Sequence, residues 1–259
     1  MGMPEPTFIS EPKTNVKNCT FKIIANPLKD WAVRTAQEIE KLLGPDRIVP
    51  AEEDVSIIIG GDGTIFHNKD SIHGAIFAIG GRQSQVCQAN QENWREKLAQ
   101  MMKGFRVDER VALAVKVNAG DAGWAINDAV VHSRKHNFLR LALSVGNAEY
   151  HFGGDGIIVA TPTGATGYAY SAGGFIIGKV PHLMEVVPIC PYMRALKPML
   201  VPALSKVRVA SEEGDADLIV DGQKIIELGG NDVVSVSGTR TARFVDLPSK
   251  NRRITAVRL

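Results

Sequence analysis

Hydrophobic positions fall into two textures along this chain. In the first hundred residues, unbroken apolar runs alternate with stretches of helical spacing. Phe21-Lys-Ile-Ile-Ala25 predicts a short strand closed by Asn26-Pro27. From Trp31, apolar residues at Val33, Ala36, Ile39, Leu42 and Leu43 keep one helical face, and Gly44-Pro45 stops them. Arg47 to Val49 reads as a weak second strand, and Val55 to Ile59 as a strong one buried on both faces. Ala75 to Ile79 predicts a further strand, and residues from Gln91 to Met102 a polar helix. Strand and helix alternate as in a parallel sheet covered by helices.

After Phe105 the texture changes. Short Val, Ile and Ala segments separated by Gly, Asp and Asn occupy Val111 to Val117, Trp124 to Val131, Leu139 to Val145, Ile157 to Ala160, Val207 to Ala210, Leu218 to Val220 and Val233 to Val236. These predict a mostly antiparallel β domain. Residues 1–17, with Pro4, Pro6 and Pro12, read as a loose leader ahead of an α/β domain over 18–105 and a β-rich domain over 106–244.

Composition narrows the function. The 259 residues are enough for two modest domains sharing one cleft, and 44% hydrophobic content suffices for a core. Thirty basic against 28 acidic side chains leave a charge of +2, so no bulk field points to nucleic acid or an anionic membrane. Cys19, Cys87 and Cys190 have neither disulfide nor metal-ligand spacing, which suits a reducing cytoplasm. No apolar run nears the roughly 18 residues that span a bilayer. The sequon Asn18-Cys-Thr20 carries no meaning in a cytoplasmic protein.

Two glycine-rich segments carry the candidate chemistry. Gly60, Gly61 and Gly63 surround Asp62 at the carboxyl end of the strong strand, where open α/β sheets bind ligands. Without β-carbons a phosphate can approach the amides there. The alternative is a tight turn with Asp62 as a helix cap. The second segment, Gly153 to Gly174, sets small and hydroxylated residues around Tyr168, before a short helix expected near Thr166. Thr161, Thr163 and Thr166 can donate to phosphate or sugar oxygens, and Tyr168 offers a ring face. The alternative here is a glycine-rich β-turn with a packed tyrosine. No Gly-x-x-x-x-Gly-Lys-Ser/Thr or Gly-x-Gly-x-x-Gly occurs, which removes P-loop and hydride-transferring Rossmann chemistry. His132 and His136, with Arg134 and Lys135 between, read as a solvated basic turn, and no metal site is expected.

In order, Gly60-Gly-Asp-Gly-Thr64, Asn127-Asp128, Gly154-Asp-Gly-Ile-Ile-Val-Ala-Thr-Pro-Thr-Gly-Ala-Thr-Gly-Tyr168, Ser171-Ala-Gly-Gly174, Ile189-Cys-Pro191 and Asp221-Gly-Gln223 resemble the motif set of the NAD kinase family. The first motif is shared with 6-phosphofructokinases and with diacylglycerol and sphingosine kinases; the long central one is far more specific. The resemblance spans roughly Phe21 to Phe244. It implies an N-terminal α/β domain with a mainly parallel sheet, a β-rich C-terminal domain, a cleft between them, and a chain end, 245–259, that returns to the first domain.

It also implies roles. Asp62 would contact the hydroxyl to be phosphorylated, and Gly61 and Gly63 would lie by the substrate. Asn127 and Asp128 would grip the dinucleotide, and Asp155 would bind ribose or carboxamide. Thr163, Thr166, Gly167, Tyr168 and Ser171 would contact adenine and ribose. Gly60, Thr64, His67 and Arg82 are candidates for the donor phosphates, Arg82 through a guanidinium clamp. The substrates implied are NAD and ATP or polyphosphate, with Mg²⁺ carried largely by the nucleotide; the implied assembly is a homodimer or homotetramer.

Departures from the family pattern are Ala165 for Ser, Gly167 for Ala and Asp128 for Glu. Gly80-Gly-Arg-Gln-Ser-Gln-Val-Cys87 also replaces an Asn-containing turn and Gly-Phe-Leu. A free aspartate, with a pKa near ~3.9, is a poor base for an alcohol, so Asp62 would chiefly orient the hydroxyl and accept its proton late. Two rivals share these features: a lipid or small-alcohol kinase of the same superfamily, which needs no Thr161 to Tyr168 loop, and a non-catalytic dinucleotide sensor, which would not need Asp62.

Overall fold

A computed structural model describes residues 16–135, 137–178 and 182–247. The chain divides into two compact units, whose described parts are 16–64, 71–108 and 244–247 in one and 65–70, 109–135, 137–178 and 182–243 in the other.

In the first unit, β1 (Phe21–Ala25), β2 (Val55–Ile59) and β3 (Ala75–Gly80) run parallel, with Ile23 level with Ile57 and Ile57 with Phe77. Every residue of β2 and β3 is buried, as expected of strands covered on both faces. The helix α1 (Asp30–Leu43) lays Ala32, Ala36, Ile39 and Leu43 on the sheet and ends at Gly44, whose φ of 81° continues no helix. The helix α2 (Asp62–Asn68) starts at the turn after β2, and a short turn, Lys69–Ser71, follows it. The two-residue strand β4 (Ala89–Asn90) joins β3, and α3 (Trp94–Met101) buries Trp94, Leu98 and Met101.

Two expectations change here. Residues 47–49 form no strand: Gly44-Pro45 starts a short 3₁₀ turn, Pro45–Arg47, because proline is preorganised for a first helical position, and only Ile48 bridges to Phe21. The helix read from Gln91 to Met102 starts later, at Trp94, and is amphipathic through its three buried residues rather than polar throughout. Of the leader, residues 1–15 lie outside the described part; Val16 is buried, in a turn at Val16–Asn18.

The second unit is built from β5 (Arg106–Val117), β6 (Gly120–Ala125), β7 (Asp128–Ser133), β8 (Leu139–Val145), β9 (Ala148–Gly154), β10 (Gly156–Ala160), β11 (Leu183–Ile189), β12 (Met199–Pro202), β13 (Val207–Glu213), β14 (Ala216–Val220), β15 (Lys224–Leu228) and β16 (Val233–Asp246). One sheet runs β16-β13-β8-β9, with β5 on β16 and β6 on β5. The other, antiparallel throughout, runs β12-β11-β10-β7-β14-β15. Leu141, Leu143, Val209 and Val234 of the first meet Val131, Ile157, Val159, Val186 and Leu218 of the second in one core. The far face of β10 is buried too: Ile158 and Ala160 pack with Ala169, from the short helix α4 (Tyr168–Ser171).

The segment read as continuous from Trp124 to Val131 breaks at Ile126-Asn127, between β6 and β7. Strands β9, β11, β12 and β15 were absent from the sequence reading, and β16 runs ten residues past Val236. Its Phe244 belongs to the first unit, level with Ile76 on β3, and Val245 packs in that unit's core with Leu247 beside it. Residues 248–259 of the expected returning segment lie outside the described part. Asp221 and Gly222 turn the β14–β15 hairpin in the left-handed region, φ 51° and 65°.

Candidate functional site

Two groups of residues, one in each unit, bring together most of the predicted site. In the first, the backbone needs its glycines. Gly60 and Gly61 have φ of 149° and 108°. A Cβ on Gly60 would lie 2.3 Å from Thr64 Oγ1 and 2.7 Å from Asn26 Cβ. The turn is tied to its neighbours by Gly60 N–H donating to Ile79 O (2.9 Å) and Thr64 N–H to Gly61 O (3.0 Å).

Asp62 opens α2, but its carboxylate turns to the loop after β3. Gln85 N–H donates to Oδ2 (2.7 Å), Val86 N–H to Oδ1 (3.2 Å), and the Cys87 thiol lies 3.3 Å from Oδ1. The helix-cap alternative is therefore not how this carboxylate is used. Burial first, and the Asp62 charge second, push the Cys87 thiol far above the ordinary thiol range, so it stays a neutral donor. The unusual loop Gly80 to Cys87 is thus the cradle of Asp62. Ser84 seats it: Gly81 N–H donates to Ser84 Oγ (3.2 Å), and a Cβ on Gly80 would overlap that oxygen at 2.2 Å.

Arg82 is not drawn in. Its guanidinium, 85% exposed, pairs with Glu92 at 2.5 Å. The exposed His67 sits on α2, and Gly63 is exposed too. Instead Lys29 Nζ donates to Gly60 O at 2.6 Å. Sequence reading passed over this lysine, although a parallel register that levels Ala25 with Ile59 sets Asn26 beside Gly60.

The second group is organised by Asp221, buried at the β14–β15 turn. Its Oδ2 accepts from Lys69 Nζ (2.6 Å) and Ile126 N–H (3.0 Å), and its Oδ1 from Asn127 N–H (2.7 Å) and Asp128 N–H (3.3 Å). These bonds break the strand at residue 126. Burial, and next the Asp221 charge, push the Asp128 carboxyl up to about 7, while Lys69 pulls it down.

The hydroxyl-rich loop closes over the same turn. Thr161 Oγ1 donates to Ile126 O (2.6 Å) and accepts from the amides of Thr163 and Gly164 (3.1 Å each). Its role is therefore internal. A Cβ on Gly164 would lie 2.3 Å from Asn127 O, so only glycine lets the loop approach this closely. The buried Asn127 Oδ1 has no hydrogen-bond partner among the described residues. A Cβ on Gly167 would lie 3.2 Å from Gly164 O and 4.0 Å from Asn127 Nδ2.

The helix expected near Thr166 is a 3₁₀ turn, Gly164–Thr166, followed by α4. Tyr168 is 44% exposed rather than packed away, and its hydroxyl pKa is raised by burial and then by Cys190, Asp155 and Asp128. Asp155 is exposed and hydrogen-bonds the Cys190 thiol, whose pKa it raises. Ser171 Oγ donates to Gly167 O (3.3 Å) within its own helix. Asn127, Asp128, Asp155, Gly167 and Tyr168 thus gather, with Thr163 and Thr166 partly exposed on the same loop. The basic turn is not simply solvated: Arg134 pairs with Asp217 (2.7 Å) and Glu227 (2.9 Å), while His136 lies outside the described residues.

Residues 126–247 match the family model described as the ATP-NAD kinase C-terminal domain. The fold is similar to a crystal structure of an NAD kinase from Archaeoglobus fulgidus in complex with ATP, with a TM-score of 0.75 and 28% identity over 88% of this chain and 94% of that one. A yeast NADH kinase complexed with NADH, at 19% identity, shares the fold with a TM-score of 0.73 over 91% of this chain and 85% of its own. Fold and residues together define a phosphotransferase of the kinase class.

The NAD kinase of Methanoregula boonei is 33% identical over 201 residues, 75% of this chain and 74% of its own. That of Thermomicrobium roseum is 32% identical over 253 residues, 89% and 87% of the two chains. The chain belongs to the NAD kinase family.

Proposed function

We propose that this protein transfers the terminal phosphate of ATP to the 2′-hydroxyl of the adenosine ribose of NAD, giving NADP and ADP. The observation that carries the reading is Asp62, held by two loop amides at the glycine turn that ends a buried parallel strand. In the transfer, the ribose oxygen forms a bond to the terminal phosphorus as the bond to the bridging oxygen of ADP breaks in line. The hydroxyl proton passes late to the carboxylate of Asp62. Gln85 and Val86 fix the direction of that carboxylate, and positioning is most of what such a reaction asks of a protein.

Asn127, whose Oδ1 has no partner among the described residues, and Asp128 hold the dinucleotide by accepting from its hydroxyl and amide groups. Asp155, Thr163, Thr166, Gly167 and Tyr168 line the same substrate, and Ser171 supports them from α4. Gly60 and Thr64 admit the donor phosphates at the turn, with Gly61 and Gly63 beside the acceptor. Arg82 would have to leave Glu92 to join them, as would His67 have to turn from solvent. Mg²⁺, a hard cation that keeps several waters and binds phosphate oxygens, would be carried largely by the nucleotide. No described helix is long and apolar enough to cross a membrane. We place the protein in the cytoplasm as a homodimer or homotetramer.

The test is incubation with NAD, ATP and Mg²⁺, with NADP followed by an NADP-specific dehydrogenase. Asp62→Asn should lose about 10²- to 10⁴-fold in kcat and bind NAD nearly as the parent does. An active Asp62→Asn variant would remove this carboxylate from the mechanism. Silence of the parent with polyphosphate and NADH as well would overturn the reading in favour of a lipid kinase or a sensor.

A further inference from the structure

We propose that Lys69 is a positioning residue for the acceptor: through the Asp221 carboxylate it fixes the backbone of residues 126–128, and with it the angle at which Asn127 and Asp128 meet the dinucleotide. This rests on the NAD kinase reading above. A carboxylate has about four acceptor positions, and Asp221 fills four with Lys69 Nζ and three successive amides. Lys69 is the only charged donor among them. Its side chain is 8% exposed and that of Asp221 0%, so neither can exchange its partner for water.

The lysine is itself enclosed. Its ammonium lies 5.6 Å from the centre of the Trp124 ring, and Trp124 Nε1 donates to Asp70 Oδ1 at 2.7 Å, pinning the ring in place. A surface lysine needs no such housing. Without Lys69, a buried carboxylate is left with the three amides alone, and the carboxylate that anchors the turn at 126–128 is no longer fixed from the other side.

The charge matters separately from the bond. The groups acting on Asp128 are Asp221 from the hairpin turn and Lys69 after α2; Tyr168 of α4 feels Asp128 in return. Burial and Asp221 raise the Asp128 pKa and Lys69 alone among them lowers it. If an ionised Asp128 accepts from the dinucleotide, removing the lysine charge moves the acid limb of NAD capture to higher pH. A lysine that only supported the fold would not move that limb.

The experiment compares the full chain with Lys69→Met and Lys69→Arg. In Lys69→Met, KM for NAD should rise about tenfold at pH 7 with KM for ATP within about twofold, and the acid limb of kcat/KM for NAD should move up; Lys69→Arg should restore both. Without any nucleotide, the amides of residues 126–128 should exchange hydrogen faster in Lys69→Met, while those of β10 and β11 stay as they were. If Lys69→Met does not fold, Lys69→Ala takes its place for the exchange and KM readings, and Lys69→Gln, which keeps a donor without the charge, should still move the acid limb up. Equal losses for NAD and ATP, an unmoved limb, or unchanged exchange at 126–128 would each overturn the proposal. The exchange result stands even if the parent makes no NADP, so the two readings fail separately.

Discussion

Replacing Gly80 by alanine should unseat the loop that holds Asp62. Gly80 is not among the residues in the left-handed region, so a methyl adds no backbone strain there. It adds overlap: the new Cβ would lie 2.2 Å from Ser84 Oγ, 2.5 Å from Ser84 Cβ and 2.8 Å from Cys87 Sγ. Forcing a methyl into a packed position costs about 1–3 kcal/mol. The fully buried β3 is paired with β2 from Ala75 to Ile79 and Gly80 itself with Asn90 of β4, so the strand resists and the loop yields. The loop's two bonds from Gln85 and Val86 go to a charged carboxylate and are worth about 1.5–3 kcal/mol each net, so the overlap is comparable to one of them. Part of the 10²- to 10⁴-fold benefit of a positioned proton acceptor is then forfeited. We expect kcat to fall at least about tenfold in the coupled assay, with KM for NAD changed less than about threefold and a melting point lower by roughly 2–4 °C per kcal/mol. Ser84→Gly removes two of the three overlapping atoms, so Gly80→Ala with Ser84→Gly should recover kcat to within about threefold of Ser84→Gly alone. A fully active Gly80→Ala, or a double variant as slow as the single, would refute the cradle.

Gly164→Ala puts a Cβ 2.3 Å from Asn127 O and should cost about 1–3 kcal/mol in urea unfolding, with calorimetry showing a weaker grip on NAD than on ATP. Unchanged NAD affinity would detach the Asn127 turn from substrate. For Glu53, burial raises the pKa, but the amides of His73 and Gly74 and the Ser56 hydroxyl outweigh it and hold it below the ordinary 4.5. Its stabilisation is whole above pH 4.5 and lost as pH falls through the depressed value, so Glu53→Gln should flatten the acid limb of thermal stability. Glu185 is the reverse: burial raises its pKa although Phe175 N–H donates to Oε2, and Oε1 has no partner among the described residues. Stability then falls as pH rises through the window above 4.5, so Glu185→Gln should gain on the parent at pH 8 and lose that gain at pH 5.

Local chemistry was legible in the sequence and long-range chemistry was not. The runs at Val55 to Ile59 and Ala75 to Ile79 announce buried parallel strands because each is apolar throughout and stops in glycine. Strand β12, only four residues with two exposed, gives no such signal. Arg47 to Val49 forms no strand because Gly44-Pro45, besides stopping the helix, starts a turn. Asp62 and Asn127 stand out through their neighbours in the chain. Lys69 does not: its partner is 152 residues away, and nothing around Lys69 marks it. The cradle of Asp62 was invisible for another reason, since two of its three donors are backbone groups that any sequence supplies.

The hairpin turn at Asp221 serves two masters. Its left-handed backbone would accept glycine or asparagine at least as readily as aspartate, so turn chemistry alone leaves three candidates for the position. The four donors aimed at its side chain leave one, because glycine offers no acceptor and asparagine would turn an amide against an incoming N–H. A library screened for hairpin folding would therefore tolerate exchanges at residue 221 that a screen for NADP formation rejects. The gap between those two selections measures how far this turn has been recruited beyond joining two strands.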